Sequence, residues 1–152
     1  MQKITPFFTL TGRAKEAADF YVGLFKDAKI VGGMPGPGDD PMVVSIEIEG
    51  QPFHILNMGV DEAPTPAISF LINCKTQEEV DHYWNGLTAD GGKPVMCGWL
   101  VDKFGVSWQV TPEILMKYMA DKNRVKANNV AQAMMKMKKI DIKTIQEAYD
   151  KE

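Results

Sequence analysis

Two stretches decide how this chain is read: Ile4–Phe25, ITPFFTLTGRAKEAADFYVGLF, and Ala67–Thr88, AISFLINCKTQEEVDHYWNGLT. Laid on one another without a gap, they match Phe7 with Phe70, Glu16 with Glu79, Gly23 with Gly86 and Leu24 with Leu87. The aromatic pair Phe20-Tyr21 falls on Tyr83-Trp84. Each stretch opens with β-branched and aromatic residues, the composition of a strand. The first continues with Ala17, Phe20, Tyr21, Leu24 and Phe25 at helical spacing, which gives one apolar face. The chain therefore carries a strand–helix unit twice.

Working outward, the first unit predicts a strand over 3–11 that Gly12 breaks, a helix over 13–26 and a strand over 28–33. Met34–Pro41, MPGPGDDP, reads as a surface loop. Met42–Glu49 and Gln51–Met58 flank Gly50 as a hairpin, and 60–66 is a connector. The second unit predicts a strand over 67–74 and a helix opened by the capping-box pair Thr76 and Glu79, running to about Asp90 and ended by Gly91-Gly92. Three short strands follow within Lys93–Thr111. The hairpin segment Gly50–Ile55 aligns with Gly105–Val110, Phe53 on Trp108 and His54 on Gln109. Pro112 opens a helical segment, and the tail from Val125 is helical with a break near Ile140-Asp141, where Asp141 can cap the last helix.

The expected class is thus α+β. Tandem βαβββ halves, 1–62 and 63–112, form a curved mixed sheet around a pocket, followed by C-terminal helices over 113–152, all within one domain. Side chains alternate along a strand. Phe53, Ile55, Trp108 and Val110 should face the helices, and His54, Leu56, Gln109 and Thr111 the concave side.

Composition bounds the function. Net charge is -3 and the sequence pI near 5.4, which speaks against a nucleic-acid or anionic-membrane binder. No apolar run is long enough to span a bilayer, and the first residues lack a signal-peptide pattern, so the expected location is cytoplasmic. Cys74 and Cys97 make no disulfide framework or CxxC motif, and His54 and His82 are the only histidines, which excludes a metal site built from several of them.

The segments ITPFF, Glu16–Tyr21 and Leu24-Phe25, then CGWLVDKFG over Cys97–Gly105, Ser107-Trp108-Gln109 and AQAMMKMKKIDI over Ala131–Ile142, resemble the PhnB-like branch of the vicinal-oxygen-chelate (glyoxalase/bleomycin-resistance) superfamily. The resemblance spans nearly the whole chain. Members of the branch often carry the label 3-demethylubiquinone-9 3-methyltransferase, yet this sequence has no glycine-rich strand-turn-helix motif for an adenosyl cofactor. Metal enzymes of the superfamily hold a divalent ion with four side chains, two per half. By position these fall here near Pro6, His54, Ser69 and Gln109. His54 is a strong ligand type and Gln109 a weak neutral one, while Pro6 and Ser69 supply no suitable donor. The resemblance thus implies a metal-independent protein whose ancestral site is lost, with no cofactor expected.

His54 has two readings: a ligand-binding or acid–base group, or a hydrogen-bonded pocket-wall residue. Ser69 and Gln109 read as polar pocket groups, and Trp99 as a flat pocket wall or ordinary core. His82 reads as a structural helix-edge residue, Cys97 as a buried inert thiol, and Asp102 as the cap of the Asp-Lys-Phe-Gly turn. Met134, Met135 and Met137 with Val130 and Ile140 form an apolar stripe suited to core or a subunit interface. The expected function is binding or conversion of a small molecule by a homodimer. The alternatives are a divalent-metal glyoxalase- or dioxygenase-type enzyme and, last, a methyltransferase.

Overall fold

The computed structural model describes residues 2–59 and 63–151, so the first part of the 60–66 connector lies outside the described residues. Two compact units are formed, one within Met1–Pro64 and one within Thr65–Glu152. In the first, β1 (Phe7–Thr9), α1 (Ala14–Leu24), β2 (Ala28–Pro35), β3 (Pro41–Ile48) and β4 (Gln51–Leu56) build a four-stranded sheet in the order β1-β4-β3-β2. The second repeats this plan with β5 (Phe70–Cys74), α2 (Gln77–Thr88), β6 (Lys93–Pro94), β7 (Trp99–Val101) and β8 (Ser107–Pro112), ordered β5-β8-β7-β6. In each sheet the first strand lies parallel to the last and the other pairs are antiparallel. Three helices complete the second unit: α3 (Glu113–Met119), α4 (Arg124–Met134) and α5 (Ile142–Asp150). The α+β class and the duplicated βαβββ order stand as the sequence predicts.

Apolar burial explains why these elements hold. Helix α1 buries Ala14, Ala17, Ala18 and Tyr21, and its small residues let the backbone approach Val44, Ile46 and Ile55 of the sheet closely. Helix α2 buries Val80, Tyr83, Trp84 and Leu87, and Leu100, Trp108 and Val110 complete that core. Burying one such large apolar side chain is worth about 1.5–3 kcal/mol. The C-terminal helices close on a cluster of Leu115, Tyr118, Val130, Ile140 and Ile145. Met134 and Met137 pack against that cluster, whereas Met135 is exposed, so the methionine stripe is divided rather than continuous.

Local signals place the boundaries. Glu49 and Gly50, at φ 50° and 77°, form a two-residue hairpin turn whose positive dihedrals suit the strand twist. The Thr76 hydroxyl accepts from the Glu79 amide at 3.2 Å, and the Glu79 carboxylate accepts from the Lys75 amide at 2.6 Å, one residue earlier than a capping box implies. Asp141 caps α5 by accepting from the Thr144 amide at 2.7 Å.

Three boundaries differ from expectation. Strand β1 is three residues rather than nine, because Pro6 has no N–H to donate, although its carbonyl still accepts from the His54 amide at 3.0 Å. Strand β5 starts at Phe70 because Thr65 draws Ala67 and Ile68 into a turn, its hydroxyl accepting from the Ala67 amide. Strand β2 runs on through Met34 and Pro35, since an edge strand tolerates proline, and the loop shrinks to 36–40.

Candidate functional site

Strand register sorts side chains onto two faces. In the first sheet the buried residues Val44, Ile46, Phe53 and Ile55 face α1, and Phe8 joins them, its ring 6.4 Å from that of Tyr21. The opposite, helix-free face carries Phe7, His54, Ser45 and Gly32 as one row across all four strands. Thr9, Leu56, Val43 and Met34 make the next row. His54 is half-buried, its Nδ1 lies 2.8 Å from Ser45 Oγ, and the Phe7 ring meets it edge-on at 5.5 Å. No hydrogen bond engages its Nε2 among the described residues. Its role there, donor or acceptor, is set by which way the Ser45 bond runs.

In the second sheet the residues expected to line the pocket do come together. Leu71, Gln109 and Trp99 form one row on the helix-free face. Gln109 Nε2 donates to Ser69 Oγ at 2.9 Å, a bond that uses neither the Gln109 carbonyl oxygen nor the Ser69 hydroxyl proton. All three candidates, Ser69, Trp99 and Gln109, are half-buried. Asn73 and the buried Thr111 continue the face.

The helices of the two halves match in the ungapped alignment, since the buried Ala17 and Tyr21 correspond to the buried Val80 and Trp84. The first strands do not. Phe70 packs with Trp108 on the helix side, ring centroids 5.4 Å apart, whereas Phe7 lies on the helix-free side with His54. Paired positions show the slip: Phe7 lies opposite His54 and Leu71 opposite Gln109, so the structural counterpart of Phe7 is Leu71 and that of Phe8 is Ile72. Pro6 meets β4 through its backbone, its carbonyl accepting from the His54 amide. One residue fewer between strand and helix in the second half is enough to invert the phase.

A divalent ion does not fit these donors. The first face offers one imidazole with a phenyl ring beside it, and the second an amide and a hydroxyl already bonded to each other. Divalent sites draw on carboxylates, thiolates or several imidazoles, and no group of three or more His, Cys, Asp or Glu suited to a metal occurs among the described residues.

The remaining candidates take structural places. Asp102 is 3% exposed and accepts from the amides of Phe104 and Val106 at 2.9 and 3.0 Å and from Trp108 Nε1 at 2.8 Å. It caps the turn, as expected, and also anchors the tryptophan on β8. His82 is exposed on α2. Cys97 is half-buried rather than buried. Its amide and that of Gly98 donate to the carbonyls of Met137 and Lys138 at 2.8 and 2.7 Å, which docks the tail onto β7.

Cys74 is the buried thiol. Desolvation, with Glu79 and Glu113 adding negative potential, pushes it up to about 12. A disulfide-exchange reagent at about pH 8 is expected to modify Cys97 in the folded protein and Cys74 only after denaturation, because the thiolate is the reactive form. Equal rates for both thiols would contradict this. Since an unfolded thiol ionises near 8.5, the Cys74 contribution to stability is intact below that pH and is lost as pH rises toward 12.

A family model and several solved structures match this chain. The family model, described as 3-demethylubiquinone-9 3-methyltransferase, matches residues 2–111 and ends where the C-terminal helices begin. A PhnB protein from Bacillus cereus, described as a 3-demethylubiquinone-9 3-methyltransferase, is 32% identical, with a TM-score of 0.67 over 73% of this chain and 99% of its own. A protein from Pseudomonas aeruginosa is 21% identical, with a TM-score of 0.60 over 74% and 98%. A glyoxalase-related enzyme from Fulvimarina pelagi is 16% identical, with a TM-score of 0.52 over 75% and 91%, a likeness of fold alone. No curated protein matches the chain.

Proposed function

Because this chain belongs to the family described as 3-demethylubiquinone-9 3-methyltransferase, within the glyoxalase/bleomycin-resistance fold, we propose that it binds or converts a small organic molecule on its helix-free sheet faces without a resident divalent ion. The observation that carries the proposal is the Ser45–His54 hydrogen bond, which orients an imidazole on the helix-free sheet face and leaves its second nitrogen without a hydrogen bond among the described residues. An oriented imidazole with one nitrogen held is suited to hydrogen bonding or proton transfer near neutral pH. Ser69, Gln109 and Trp99 supply the corresponding groups on the other sheet.

Methyl transfer in the sense of the family description has no support here. Each sheet has a single parallel pair, unlike the doubly wound parallel sheet that cradles a nucleotide-like cofactor. The described helices include none long and apolar enough to cross a membrane. A cytoplasmic homodimer is part of the proposal.

The test replaces the imidazole. Small aromatic fragments are screened by NMR, and those shifting the His54 and Ser45 amides are titrated against His54→Gln. The expected result is about tenfold weaker binding, the cost of one hydrogen bond to a polar ligand group, with an unchanged urea midpoint. Fragments that bind this face with equal affinity in wild type and variant would contradict the assignment of His54.

A further inference from the structure

We infer that the ligand of these faces is an uncharged planar molecule bearing hydrogen-bonding substituents, an inference that rests on the binding role proposed above and narrows it to a chemical class. Each face, taken by itself, sets one aromatic ring beside neutral polar groups. On the first sheet Phe7 touches His54, which is bonded to Ser45. On the second, Trp99 lies directly across from Gln109, which is bonded to Ser69. The neighbouring positions Thr9, Leu56, Val43, Met34, Leu71 and Asn73 are also uncharged.

Among the described residues charge enters at the margins, where Lys15 and Asp39 line a cavity with Gly32, Met34 and Val43 at the β2 edge. Lys29 and Glu47, one row beyond His54, neutralise each other at 2.9 Å. Lys93, on the short edge strand β6, is exposed. A carboxylate, phosphate or ammonium brought onto the central rows would surrender hydration and meet no fixed counter-charge, which is costly. A flat ring loses nothing there: it stacks on Phe7 or Trp99, and its hydroxyl or carbonyl substituents meet His54 Nε2, the Gln109 carbonyl or the Ser69 proton.

The test uses one ring system in three charge states: naphthol, naphthoate and naphthylmethylammonium, titrated into the full chain at about pH 8, above the ordinary imidazole range. Binding is read from two-dimensional NMR shifts of the Trp99 indole and of the Phe7, His54 and Gln109 amides. Naphthol is expected to bind at least tenfold more tightly than either ion. An ion that binds these residues as tightly as naphthol, or more so, would overturn the inference while leaving a binding role for the faces. Absence of saturable shifts at these residues with all three probes would overturn the inference together with the binding role.

Discussion

Replacing Asp102 with alanine is expected to lower the stability of the fold by about 3 kcal/mol, the largest loss anticipated for any single polar side chain here. The carboxylate is buried and accepts from two turn amides and the Trp108 indole. Alanine leaves all three donors without partners in a site closed to water, and each orphaned donor costs about 1–3 kcal/mol. Relaxation of the turn toward solvent recovers part of that sum. For a chain of this size the loss corresponds to a melting temperature lower by about 10 °C. The Asp102→Asn variant keeps one acceptor oxygen and should fall between wild type and Asp102→Ala. A urea midpoint within error of wild type for Asp102→Ala would show that the turn holds without its cap.

Gly98→Ala is expected to cost about 3 kcal/mol or more, for two separable reasons. The residue sits at φ 80°, where a side chain costs about 1–2 kcal/mol on conformational grounds alone. A Cβ there would also lie 2.8 Å from the Val110 carbonyl oxygen and 3.2 Å from Ile140 Cγ1. The carbonyl is backbone in the middle of β8 and cannot move aside cheaply. Gly50→Ala is the control: its φ is 77°, nearly the same, and nothing lies within 4 Å of the added atom. That variant should lose only the conformational cost. Equal denaturation midpoints for the two variants would remove the steric argument, and with it the close docking of Ile140 on the Cys97–Gly98 turn.

These residues also show how far the sequence could be read. The duplicated strand–helix unit was legible because helix periodicity and the Phe20-Tyr21/Tyr83-Trp84 pairs survive in register. The Asp141 cap and the Asp102 turn were legible because capping is local chemistry. The helix-free placement of His54 and Gln109 followed from strand alternation. Ser45 was overlooked although a signal existed: counting outward from a two-residue Glu49-Gly50 turn pairs Ile48 with Gln51 and therefore Ser45 with His54. The phase of β1 was not legible, because an alignment that fits both helices without a gap conceals a one-residue difference in the strand before them. Non-local hydrogen bonds were beyond reach as well. Gln77 accepts from the Ile142 amide at 2.8 Å and donates to the Ile140 carbonyl at 3.2 Å, tying the start of α2 to that of α5. No spacing rule connects those positions.

Metal content, measured by mass spectrometry on protein purified without an affinity tag or chelator, tests the central claim most directly. The donors on the two faces predict well under one equivalent of zinc, iron, manganese or nickel per chain, and no gain in melting temperature when these ions are added. About one tightly held equivalent per chain, lost in His54→Gln, would contradict the account and make a chelate-type enzyme the reading of this fold.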